Sequence, residues 1–205
     1  MSTNRAIIRR LAFTVAAGSG ALALLTACGG TDNARAGHEI AITTHGAPAS
    51  PQPGASFNEA DVTFAQNMIP HHQQAVEMAD LAETRAADAE VKKLAAKIKA
   101  AQDPEIQTLE GWLEAWDKPM PSGGMHHGMP GMMSAEDMKK LEAAQGAAFD
   151  RQFLRMMIAH HEGAIEMAKT EQAKGANDGV KVFAKTIESS QQAEVEQMRK
   201  LLDRL

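Results

Sequence analysis

The sequence predicts an all-α protein, a four-helix bundle built from two copies of one helical hairpin. Ala, Glu, Lys, Gln, Leu and Met dominate the 205 residues, and these are strong helix formers. Aromatic residues make up only 4% and Tyr is absent, which argues against strands, since those draw on aromatic and β-branched side chains. Finally, 61–113 aligns with 150–202 without a gap, at an offset of 89 residues and with 18 of 53 positions identical. A period that long marks a duplicated supersecondary unit, not a short solenoid repeat.

Residues 1–27 read as a lipoprotein signal peptide. Arg5, Arg9 and Arg10 precede an apolar run from Leu11 to Leu25, and no acid occurs before Asp32. The run is too short to span a membrane and has the form of a secretory apolar segment. It ends in Leu25-Thr26-Ala27-Cys28, which resembles the lipobox of bacterial lipoproteins. Cleavage before Cys28 would leave that thiol, the only one in the chain, to carry the lipid. The net charge of -5 would become -8 on loss of three Arg. An acidic chain gives no reason to expect nucleic acid as a partner. The expected location is the extracytoplasmic side of the cell membrane. Residues 28–55 are rich in Gly, Ala, Thr, Ser and Pro, closing with Pro48, Pro51 and Pro53, the composition of a tether.

Residues 56–205 should form the bundle. Ser56-x-x-Glu59 and Ser134-x-x-Asp137 look like caps opening the first helix of each unit. Asp88 and Asn177 stand where the second helices should begin, and Gly175 can end the helix before. Short turns near 85–89 and 174–178 make each pair antiparallel. Pro70 and Pro104 fall inside helices of the first unit and predict kinks there. Neither recurs in the second unit.

At helical spacing, Phe64, Met68, His71, His72, Ala75, Met78 and Ala79 share one arc, as do Phe153, Met157, His160, His161, Ala164, Met167 and Ala168. Gln102 and Glu105, with Gln191 and Glu194, face inward from the second helix of each unit. A buried carboxylate needs a partner, and a His on the facing helix or a metal held by it would serve. Glu77 and Glu166 fall on the opposite side and read as surface residues. The simplest explanation is a buried hydrogen-bond network with Met as gap-filler. Four converging imidazoles are costly unless something is bound, which favours a metal site.

The connection 117–133 points to the type of metal. Met120, Met125, His126, His127, Met129, Met132 and Met133 account for seven of its 17 residues, set among Gly and Pro. Exposed Met there would bury nothing, so packing does not explain them. Thioether is a soft ligand suited to Cu(I), while imidazole suits Cu(I), Cu(II) and zinc. Copper is the expected cargo, with silver or zinc as alternatives.

Met68-Ile69-Pro70-His71-His72-x-x-Ala75-x-x-Met78-Ala79, its repeat at 157–168 and the later Gln-x-x-Glu blocks resemble the domain-of-unknown-function (DUF) 305 family over about 57–204. The resemblance implies a ferritin-like four-helix bundle and an exported protein concerned with binding and resisting copper. It implies Met68, His71, His72, Met78, Met157, His160, His161 and Met167 as metal ligands, with Gln102, Glu105, Gln191 and Glu194 behind them or among them. Position 159 is Ala where that family has Pro.

A di-metal ferritin-like redox enzyme is the rival reading. Such sites need Glu-x-x-His on each of two helices, but positions 68 and 157 are Met, so no enzyme is expected. A metal-free structural or adaptor bundle is the other alternative. The expected partners are the metal ion and the membrane, with a homodimer or a copper-handling protein as further candidates.

Overall fold

A computed structural model describes residues 56–121 and 128–205, and every regular element in them is helical. The proposed signal peptide, Cys28 and tether lie outside these residues, as do Met125, His126 and His127. The helices are α1 (Glu59–Arg85), α2 (Ala89–Ala115), α3 (Ala135–Ala143), α4 (Gly146–Lys174) and α5 (Asp178–Arg204). No helix among the described residues is long and apolar enough to cross a membrane.

Asp88 caps α2 by accepting from the Glu90 and Val91 amides, and Asn177 caps α5 through Val180, as their positions predict. The other two start signals are corrected. Asn58, not Ser56, caps α1, in a reciprocal capping box with Asp61. Ser134 caps the separate short helix α3 and not the first long helix of the second unit. The chain breaks after Ala143, and α4 begins at Gly146 with φ +61, a backbone state that side chains with a Cβ rarely adopt. Pro70 and Pro104 both lie within unbroken helical spans.

Turns of three residues make α1/α2 and α4/α5 antiparallel. Asn58 reaches the Lys174 carbonyl and His71 lies against His160, so α1 and α4 are antiparallel too. Arg204–Asp88, Lys97–Glu194 and the Trp112–Phe183 edge contact set α2 against α5 in the same sense. Consequently α2 and α4 run parallel, joined by one long crossover that contains α3, the topology of ferritin-like bundles.

Two apolar clusters fill the interior. One gathers Met78, Leu94, Ile98, Leu141, Phe149, Phe153, Met157 and Met198. The other gathers Phe64, Met68, Leu109, Trp112, Leu113, Phe183 and Ile187. The four histidines of the repeats are buried and belong to neither.

Each hairpin also holds the turn of the other. The Asp61 carboxylate accepts the Ala176 and Asn177 amides at 3.1 and 3.0 Å. Its repeat counterpart, Asp150, accepts the Ala87 and Asp88 amides at 3.1 and 3.0 Å. A second carboxyl, Glu171, stands beside Asp61 where the first repeat has Ala82. Burial and the neighbouring Asp61 push its pKa up to about 8. Gly175 leaves the room, because a Cβ there would collide with the Glu171 carboxyl.

Replacing Asp150 by Ala strands two turn amides and should cost about 1–3 kcal/mol, read as a lower urea midpoint at unchanged m-value. Glu171 makes a second prediction. Its folded pKa is raised, so the folded chain binds more protons than the unfolded chain between the ordinary carboxyl value and about 8. Stability should fall as pH rises through that window, and Glu171→Gln should flatten this part of the denaturation profile.

Candidate metal centre

The repeats place His71 and His72 on α1 and His160 and His161 on α4, midway along the bundle. Small residues on the same arcs, Ala75 and Ala164, are fully buried and let these two helices approach closely. The His71 and His160 rings face each other across the pseudo-symmetry axis, with centroids 3.8 Å apart and a 37° tilt. His161 lies 6.5 Å from His160, ring to ring.

The outer two imidazoles are fixed within their own hairpins. His72 Nε2 lies 2.7 Å from Glu105 Oε2, and His161 Nε2 lies 3.0 Å from Glu194 Oε2. The inward carboxylates therefore find the histidine partners that their burial demands. Burial raises the Glu194 pKa, but the His161 bond and the Lys97 charge outweigh it and hold the carboxyl below its ordinary value. Gln102 and Gln191, one turn earlier on the same faces, are buried with Oε1 lacking a hydrogen bond.

Hydrogen-bond accounting shows which ring atoms are free. A carbonyl can only accept, so His71 donates Nε2–H to the Pro130 carbonyl at 3.0 Å. Its Nδ1 has no partner. Burial, reinforced by the neighbouring His72, lowers its pKa to about 3. His160 is held well below the ordinary value by burial and by His71, and neither of its nitrogens is paired. His72 and His161 also leave Nδ1 unpaired. Five ring nitrogens in one buried layer thus lack hydrogen bonds, where each would ordinarily cost about 1–3 kcal/mol.

This donor set suits a soft cation. Neutral imidazole nitrogen is a metal ligand, and a hydrogen bond at the opposite ring nitrogen is what orients such a ligand. Among the described residues, no three His, Cys, Asp or Glu side chains group so as to hold an ion. The two facing imidazoles would therefore draw further donors from the thioethers. Met68 and Met157 are fully buried and stand one turn before the histidines, on the same helix faces. Met78 and Met167 lie seven residues beyond His71 and His160, about 10 Å along the helix axis. Met78 is buried, whereas Met167 is half-buried. Glu77 and Glu166 are exposed, as the helical wheel predicts.

The connection differs from the exposed strip that its composition suggests. Met120 is exposed, but Met129, Met132 and Met133 are half-buried. Met133 packs on the first apolar cluster, and the Gln74 amide holds its backbone through bonds of 2.7 and 3.0 Å. The sequence reading missed three participants here: Gln74, Pro130 and Gly163. Gly163 offered a signal, since a glycine inside a helix is unfavourable and points to a packing requirement.

The family model "Domain of unknown function (DUF305)" matches residues 61–202. A putative secreted DUF305 protein from Streptomyces coelicolor is 36% identical, with a TM-score of 0.66 over 71% of this chain and 93% of that one. A DUF305 fragment from Deinococcus radiodurans is 32% identical, with a TM-score of 0.67 over 72% of this chain and 98% of that one. CopM in its Cu(II)-bound form is 36% identical, with a TM-score of 0.63 over 70% of this chain and 96% of that one. CopM structures with Cu(I) and with silver match as well. No protein of curated function matches.

The neutral histidines fix the acid behaviour. Between pH 6.5 and about 3 the unfolded chain takes up protons that folded His71 refuses, and His160 acts in the same sense. The stability of the metal-free protein should therefore fall as pH drops through that window. His71→Asn should lessen the slope measured by urea denaturation.

Proposed function

The chain belongs to the DUF305 family, and on that premise we propose that it binds copper at the mid-bundle imidazole layer and buffers or sequesters it. The observation that carries this reading is the layer itself, five unpaired ring nitrogens buried between two apolar clusters. Support comes from CopM, related across the whole bundle, which was crystallised with Cu(II), Cu(I) and silver. Imidazole with thioether fits Cu(I) best and accepts Ag(I) by the same softness. His71 and His160 are the central ligands, His72 and His161 complete the layer, and Met68 and Met157 supply sulfur. The crossover methionines give a looser second set of donors.

We read the protein as exported and non-enzymatic, held at the outer side of the membrane by lipid on Cys28. The apolar leader and lipobox-like sequence support export and anchoring, and the Streptomyces relative named a putative secreted protein supports export. A di-metal redox centre is the poorer reading, because Glu105 and Glu194 are each engaged by a histidine and, among the described residues, no three His, Cys, Asp or Glu side chains group so as to hold an ion.

Purified protein titrated with Cu(I) against a chromophoric chelator should lose its tightest site when His71, His72, His160 and His161 are replaced by Ala. Unchanged stoichiometry and affinity would rule out the core site. Replacing Met120, Met125, Met129, Met132 and Met133 by Leu should lower only the weaker binding.

A further inference from the structure

A half-open cavity of about 320 Å³ lies between α1 and α4, lined by Phe64, Asn67, Pro130, Glu166, Met167 and Glu171 among others. Two features set it apart from an ordinary surface groove. Glu171, part of its wall, is an almost fully buried carboxyl that stands beside Asp61. Pro130 belongs to the cavity wall and to the histidine layer at once, because its carbonyl accepts the His71 Nε2–H.

Pro130 is held there by an unusual fit. A Cβ on Gly163 would overlap the Pro130 carbonyl, and a Cβ on Gly131 would lie 2.7 Å from the Ala159 carbonyl and 2.9 Å from that of His160. Gly131 also has φ +78, so its backbone state calls for glycine as well. The repeat counterpart of Gly163 is Gln74, whose amide grips Met133 at the end of the same segment. One register position, occupied by different residues in the two repeats, thus seats a strap, Met129–Met133, across the α1–α4 seam. Pro130 itself is exposed, so little apolar burial opposes its displacement.

We propose that this cavity is the vestibule through which a soft monovalent cation, Cu(I) or Ag(I), reaches the imidazole layer. Met167 supplies its thioether in the vestibule, and the Pro130–Gly131 peptide is the gate between the two. Gln74 and Gly163 are positioning residues that hold the gate shut. Closed, the Pro130 carbonyl keeps His71 as the Nε2–H tautomer; displaced, it leaves the seam over His71 and His160 open. Met167, two turns from the layer, thereby acts as a waypoint and not as a ligand of the central site. The proposal rests on the metal-binding reading above.

The test follows Cu(I) leaving its bis-bicinchoninate complex for the purified protein by loss of absorbance. Nitrogen-15 spectra of the histidine rings in the metal-free protein give an independent readout. Gating steps commonly set such rates, so Gln74→Ala and Gly163→Ala should each load about tenfold faster than wild type. The single Nε2–H tautomer of His71 should be lost in both. Met167→Leu should load about fivefold slower with the wild-type tautomer, and all three variants should reach the wild-type copper content. Wild-type rates in both strap variants would overturn the gate while leaving copper binding intact, and a wild-type rate in Met167→Leu would overturn the vestibule. Failure of the wild-type protein to take up any copper would defeat the metal reading and the gate together.

Discussion

Four imidazoles buried in the middle of a helical bundle, with His71 and His160 held uncharged, constrain the rest of this molecule. Every ring N–H needs an acceptor, and every ring lone pair needs a donor or a metal. Glu105 and Glu194 accept from His72 and His161, and the Pro130 carbonyl accepts from His71. Nδ1 of all four rings and Nε2 of His160 are left without a hydrogen-bond partner. An apolar core of the same shape would be more stable without this layer. Under the proposed function its presence in both repeats makes it a preformed ligand set, with the wider bundle holding the rings in place before any ion arrives.

The frame that holds the layer is reciprocal. Asp61 and Asp150 tie each hairpin to the turn of the other, which fixes the register of α1 against α4 and hence the overlap of His71 and His160. Two departures from two-fold symmetry fall on the α1–α4 side. Gln74 pairs with Gly163, and Ala82 with Glu171, in the duplicated register, and both differences lie where the strap or the cavity does. Duplication supplied the paired histidines; divergence at positions 74/163 and 82/171 made one side of the bundle different from the other.

The bundle and the identity of its buried layer were legible because both are written in periodicity. The 3.6-residue pattern put the histidines, Gln102 and Gln191 inside, and the repeat located their partners. The start of α4 was not legible, because Ser134-x-x-Asp137 is a true capping signal for a different helix, and the break at Gly146 depends on one left-handed backbone angle. Nor could composition show that Met132 and Met133 are partly covered, since docking of the crossover depends on contacts with Gln74 and Gly163 that are distant in sequence. The Asp61 and Asp150 latches stood at the first aligned position of the repeat, but an acidic residue in the first turn of a helix has an ordinary local explanation.

The central claim is that imidazoles from both repeats share one soft cation. The most direct measurement is nitrogen-15 spectroscopy of histidine-labelled protein loaded with Ag(I), in which a bound ring nitrogen couples to the silver nucleus. Coupling is expected at one nitrogen of His71 and one of His160 in the same one-to-one complex. Silver bound with no coupling at any of His71, His72, His160 or His161 would contradict the claim and leave the layer as a structural network.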